Sequence, residues 1–206
     1  MESRPTIIST NLTPEQLQEH PIAVKQACAA VGQARLMMTY QKIFAEYNQV
    51  TAQILMTRQT ISNDTNRINA QNTFEELFRM GVIPIVNEND TISVSELMFT
   101  DNDELSGLIA SMMDAQALII LSNIDGIYNG SPADPASEVI REIGQGKDLS
   151  SYIQTSKSSF GRGGMLTKTN IARKVADEGI TVIIANGKRD NILVDLIQHP
   201  ESTLCT

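Results

Sequence analysis

The chain has 206 residues, 41% of them hydrophobic and 19% charged, with a formal net charge of −8. That balance describes a globular protein with one substantial core and excludes disordered and fibrous classes. The acidic charge, the absence of Trp and a total of five Phe and four Tyr argue against a nucleic-acid partner, which needs a basic face or stacking rings. Cys28 and Cys205 lie at opposite ends, and His20 and His199 are the only histidines, so neither a disulfide framework nor a metal-ligand set is expected. No leader-like segment opens the chain and no apolar run approaches the ~18 residues that span a bilayer. The expected location is a reducing cytoplasm, without a membrane partner.

In chain order, the polar residues 1–21 form an atypical opening segment. It contains one helix start, with Thr13 as cap, Pro14 at the first helical position and Gln16 where a capping box wants it. From Pro21 to about Asn48, apolar residues recur at helical spacing. Gly32 interrupts that helix and suggests close packing or a bend, and a place in the core is the default for the helix. Residues 50–57 read as a strand, 61–65 as a turn, and 66–80 as a helix that Gly81 stops. A strand follows at 82–87, a helix at about 104–114, and an almost continuously apolar strand at 117–122 that should be buried on both faces. Asp125-Gly126 marks a turn. A helix at 166–178 stopped by Gly179, a strand at 181–185 and a helix at 191–198 complete the series. Such alternation is the pattern of an open, mainly parallel α/β sheet, and no linker divides residues 1–206 into more than one domain.

Ligands of open α/β sheets bind beyond the carboxyl ends of the strands. Three polar clusters occupy such places. The first is Asn87-Glu88-Asn89-Asp90, continued by Asp101-Asn102-Asp103. These groups face either water or a cationic ligand, because burying them unpaired is costly. The second is Ser122-Asn123 with the Asp125-Gly126-Ile127-Tyr128 turn, which by itself is a common kind of strand exit. The third is Phe160-Gly161-Arg162-Gly163-Gly164-Met165, running into Thr167-Lys168. Its glycines let backbone amides approach a phosphate, a helix amino end adds a favourable dipole, and two cations bracket the loop. It lacks the P-loop spacing, and GxSxG, HExxH and GxGxxG are absent as well.

Taken together and in order, KQACAAVGQARLM, ILMTR, INAQNTFEEL, IPIVNEND, TDNDELS, LIILSNIDGIY and GRGGMLTK resemble the amino-acid-kinase family, on its glutamate-phosphorylating branch. The resemblance covers about residues 22–206. It implies a three-layer α/β/α sandwich around a mainly parallel sheet. It also implies transfer of the γ-phosphoryl group of ATP, carried with Mg²⁺, to the side-chain carboxylate of L-glutamate on the route to proline. By position, Asn87, Asp90 and Asn102 would line the glutamate site, with Asp90 toward the ammonium group. Ser122 and Asn123 would contact the nucleotide, and Arg162, Gly163, Gly164, Met165, Leu166, Thr167 and Lys168 would form the phosphate-side loop. Lys168 would stabilise the transferring phosphoryl group, and Asp103 would orient the catalytic cations. A homo-oligomer is the expected assembly.

Two departures from the family pattern stand out. Asn123 replaces an Asp that the family often carries. Family members also open with a strand bearing an early Lys, a Gly-rich turn and a serine-glycine loop, whereas here the first Lys is Lys25 and the first Gly is Gly32. The resemblance therefore implies a kinase domain truncated at its amino end, with little kinase activity expected of these 206 residues alone. Two alternatives stay open: a non-catalytic remnant or subunit of the same family, and a related kinase for another carboxylate or phosphate acceptor.

Overall fold

The computed structural model describes residues 21–92, 101–131, 134–144 and 165–206. The helix start expected at Thr13 and the loop residues Arg162, Gly163 and Gly164 lie outside the described residues. The chain falls into two compact units, Met1–Met98 and Phe99–Thr206. Among the described residues each contains one parallel strand pair with its helices, the α/β arrangement expected from the alternating pattern.

The first unit opens with α1 (Pro21–Ala45), followed by β1 (Thr51–Met56), α2 (Arg58–Ser62), α3 (Asp64–Arg79) and β2 (Ile83–Glu88). β1 and β2 pair in parallel, from Thr51 opposite Ile83 to Met56 opposite Glu88. The stretch expected as a turn at 61–65 is instead a junction of two helices. Thr57 and Thr60 exchange hydroxyl–amide hydrogen bonds as a capping box for α2, and the Asn63 carboxamide accepts the Asn66 amide at 3.0 Å to start α3. Ser, Thr, Asn and Asp favour turns and helix caps through the same short side-chain bonds, which is why the local sequence did not separate the two. At its other end α3 closes in a Schellman motif, with Gly81 at φ 69°, the Gly81 amide on the Phe78 carbonyl and the Val82 amide on that of Leu77.

Met56 on β1 and Phe74 on α3 are almost wholly buried, and the Phe78 ring lies 6.3 Å from that of Phe74. α1 departs from expectation. Met37 is its one buried residue, while Ile22, Met38 and Ile43 are each more than half exposed, so the helix is not core. The helix also runs on through Gly32, where a Cβ would meet open space, so no close packing calls for that glycine. No helix among the described residues is long and apolar enough to cross a membrane.

The second unit runs α4 (Asn102–Met112), β3 (Ala117–Ser122), α5 (Met165–Asp177), β4 (Thr181–Asn186) and α6 (Ile192–Gln198). β3 and β4 are parallel, with Ala117 opposite Thr181 and Ser122 opposite Asn186. Ala110, Val175 and Ile180 join α4 and α5 to the face of the pair that carries Leu118 and Val182, and Ala185, Ile192 and Leu196 join α6 to the opposite face, with Ile119 and Ile183. The helices α4 and α5 approach closely at Gly107, where a Cβ would stand 2.7 Å from Ile171 Cγ2. β3 is less enclosed than its apolar run implies: Ile120 is buried, but Leu121 is 45% exposed. A strand with one paired neighbour among the described residues leaves part of its surface to solvent.

Short links set the orientation of these helices. Residues 113–116 return α4 into β3, and residues 178–180 return α5 into β4. Each helix must therefore run antiparallel to the strand it feeds, with its amino end at the carboxyl edge of the pair. That edge collects the first turns of α4 and α5 and the exits of β3 and β4.

Candidate functional site

At the carboxyl edge of the second unit, two charged side chains from different helices meet. Asp101 caps α4 by accepting the Glu104 amide at 3.0 Å, which places Asp103 in the first turn. Lys168, in the first turn of α5, donates to Asp103 Oδ2. Both side chains are more than four-fifths withdrawn from solvent. A largely withdrawn ion pair of this kind fixes the direction of an ammonium group that would otherwise swing through many rotamers. Thr167, beside it, is half-buried, and Met165 and Leu166 belong to the opening turn of α5. Beside this pair, Glu104 and Thr167 also border an open groove of about 390 Å³ between α4 and α5.

The exits of β3 and β4 form the second part of the edge. The Gly187 amide donates to the Ser122 carbonyl at 2.8 Å, tying the two strand exits together. The Ser122 hydroxyl lies 3.5 Å from Asn123 Oδ1, at the limit of a hydrogen bond. Behind them, Asp125 Oδ1 accepts from Arg189 Nε at 2.7 Å and from Asn186 Nδ2 at 3.0 Å, while the Tyr128 hydroxyl reaches Oδ2 at 3.4 Å. The Arg189 hydrogen bond, helped by Asn186 and Tyr128 and opposed by burial, holds the Asp125 carboxyl below its usual range. Burial and the neighbouring Asp125 charge push the Tyr128 hydroxyl up.

The turn is held from its far side by Thr206. The Thr206 hydroxyl accepts the Ile127 amide at 2.7 Å, and Thr206 pairs with Ile184 through both backbone groups. At Gly126 a Cβ would lie 2.5 Å from that hydroxyl, so the residue is glycine for space.

A carboxyl held below its unfolded value stabilises the fold above that value and loses its contribution as pH falls through the folded one. The stability advantage of the native chain over an Asp125→Asn variant should therefore be full at about pH 7 and shrink below about pH 4. Urea melts of both chains across that range check it. A difference that grows on acidification would contradict the assignment.

In the first unit, Asn87 near the end of β2 donates to Gln33 Oε1 on α1 at 2.9 Å. The loop beyond is compact, with the Asn89 amide on the Met56 carbonyl at 2.7 Å and the Thr91 hydroxyl on Asn89 Oδ1 at 2.5 Å. Asp90 is half-buried within it. Among the expected residues, Asp103 and Lys168 are thus brought into contact, and Ser122 and Asn123 stand at a strand exit. Asn102 is the first residue of α4 and is exposed.

Sequence reasoning missed Gln33, Asn186 and Arg189. The last two were findable, since NGKRD follows the apolar strand TVIIA at the same kind of carboxyl end that singled out Ser122 and Asn123. Gln33 carried no comparable signal inside a helical pattern.

A sequence model described as the amino acid kinase family matches residues 2–186. The chain belongs to the amino acid kinase family. Among curated members of that family, the chain is similar to glutamate 5-kinase of Bacteroides thetaiotaomicron, with 71% identity over 182 residues covering 88% of this chain and 51% of that protein. It is similar to glutamate 5-kinase of Chlorobaculum tepidum, with 47% identity over 90% of this chain and 49% of that protein. For the Clostridium acetobutylicum enzyme of the same name the identity is 43%, over 92% of this chain and 73% of that protein. The chain thus spans about half the length of the first two of these relatives. Its family membership covers both compact units, since the match crosses from one into the other.

Proposed function

We propose that this amino acid kinase acts as a glutamate 5-kinase, phosphorylating the side-chain carboxylate of L-glutamate from ATP as the first step of proline biosynthesis. The observation that carries the proposal is the Asp103–Lys168 pair at the adjoining amino ends of two helices, within a chain whose relatives bear that name. Both alternatives, a non-catalytic remnant and a kinase for another acceptor, are less favoured, because the charged pair is intact and the similar relatives share one activity by name.

The chemistry asks little of acid–base groups. A glutamate carboxylate is ionised at neutral pH, so one of its oxygens can form the new bond to the γ-phosphorus while the bond to the bridging oxygen breaks and ADP leaves with the electron pair. Alignment and positive charge at the transferring group supply the rate. In this reading Lys168 faces the phosphoryl oxygens and Asp103 aims it. The loop Arg162, Gly163 and Gly164, with the α5 turn Met165, Leu166 and Thr167, receives the phosphates. Ser122 and Asn123 meet the nucleotide. Asn87, Asp90 and Asn102 are the residues that the family resemblance gives to glutamate, Asp90 through its ammonium group.

The residues fit a nucleotide in donor chemistry: a lysine held by a carboxylate, a helix amino end and a polar strand exit on one edge. ATP would bring Mg²⁺ on its phosphates, which neutralises charge as it develops. We further propose a homo-oligomer in the cytoplasm.

Calorimetric titration tests the substrate reading. A non-hydrolysable ATP analogue with Mg²⁺ should bind saturably, and L-glutamate should strengthen it where aspartate and N-acetylglutamate do not. Failure to bind the analogue, or equal enhancement by aspartate, would sink the proposal.

A further inference from the structure

The Asp125 cluster takes no part in the roles proposed so far, yet it is built from positions far apart in sequence. Asn186 ends β4 and Arg189 follows it, Asp125 and Tyr128 follow β3, and the other three side chains converge on the Asp125 carboxylate. Arg189 uses only its inner nitrogen, Nε, for this bond. Its two outer nitrogens have no hydrogen-bond partner among the described residues, and its side chain is 44% exposed.

An arginine tied through Nε keeps its outer nitrogens in a fixed plane. That geometry suits an acceptor on a ligand, and little rotamer entropy remains to be lost on binding. The bland reading is a surface ion pair, which contributes little. Three features favour a site. Asp125 is only 21% exposed, and it is held by three donors where a surface pair would have one. The Gly187 amide ties the Arg189 loop to Ser122. Thr206 holds the turn that carries Asp125 from behind, through the Ile127 amide. Lys188 adds a second positive charge at this strand exit in a chain of net charge −8.

We infer that Arg189 contacts the bound nucleotide directly through its outer guanidinium nitrogens, and that Asp125 is the positioning residue that aims it. The inference rests on the reading of this edge as the nucleotide site. ADP titrated calorimetrically into the native chain and into Arg189→Gln, Arg189→Lys and Asp125→Asn variants tests it, with each fold checked by circular dichroism.

Arg189→Gln should weaken ADP by about tenfold or more, because a charge-assisted contact is lost. Arg189→Lys should fall between that variant and the native chain, keeping charge without the planar fork. Asp125→Asn should weaken ADP by roughly threefold to tenfold, since the guanidinium survives but loses its aim. L-glutamate affinity should hold in all three. ADP binding by Arg189→Gln as tight as native overturns the inference and leaves the nucleotide-site reading standing. Equal losses in Arg189→Lys, Arg189→Gln and Asp125→Asn, with glutamate binding lost as well, would mark the cluster as structural and also overturn it. A native chain that binds no ADP overturns both.

Discussion

In a kinase preparation that contains this chain and turns over glutamate, replacing Lys168 by alanine should lower glutamate-dependent ADP formation by about 10²–10³-fold, the cost typical of removing one positioned donor from developing oxyanion charge. The expectation comes from where the lysine sits. Its ammonium is withdrawn from solvent and directed by Asp103, so it needs no reorganisation as charge gathers on the phosphoryl oxygens. Ground-state ADP affinity should change little, within about threefold, because the interaction strengthens mainly in the transition state. Binding of ADP with Mg²⁺ and a metal-fluoride mimic of the transferring group should weaken in parallel with turnover, which gives a readout independent of basal rate.

Asp103→Ala should lose turnover without removing the cation itself, and the double variant should be little worse than Lys168→Ala, since the two residues act as a unit. Turnover and mimic binding unchanged in Lys168→Ala would dismiss the role. Full additivity of the two substitutions would dismiss the coupling.

The second large effect is on stability. Phe74 is 1% exposed beneath α3, and Phe74→Ala should destabilise the first unit by about 3–5 kcal/mol through lost burial and the cavity left behind. That is a large share of the ~5–15 kcal/mol that holds a typical domain. Phe78, one helical turn on, is 54% exposed, and its alanine variant should cost much less, roughly 0.5–1 kcal/mol. With no Trp in the chain, urea melts are best followed by circular dichroism. Equal costs at the two positions would contradict the burial of Phe74 and the exposure of Phe78. The contrast also bears on the proposed chemistry, since α3 packs on β2, whose carboxyl end carries Asn87 and leads to Asp90.

What could be read from the chain alone follows the range of the forces involved. The element series, the helix stops at Gly81 and Gly179, and the parallel character of the strands are near-neighbour matters, and the structure agrees with them. The same short-range signals failed where two outcomes share one chemistry. Residues 61–65 could have made a turn, and they join two helices capped by Thr57 and Asn63 instead. Apolar periodicity in α1 could not say what covers it, because burial depends on neighbours that the local pattern does not name.

The candidate site divides in the same way. Asp103 and Lys168 could be named from their motifs, but their contact across 65 positions exists only because α4 and α5 both start at one edge of the β3–β4 pair. Arg189 could not be connected to Asp125 from the sequence at all. The two are 64 positions apart, and their meeting depends on the parallel register that sets Ser122 opposite Asn186. By itself the sequence determined the kind of fold, the residue types at its strand exits and the family they resemble. Only the tertiary structure decided which charges are neighbours, because a hydrogen bond is satisfied over about 3 Å of space and carries no trace in the local pattern of either partner.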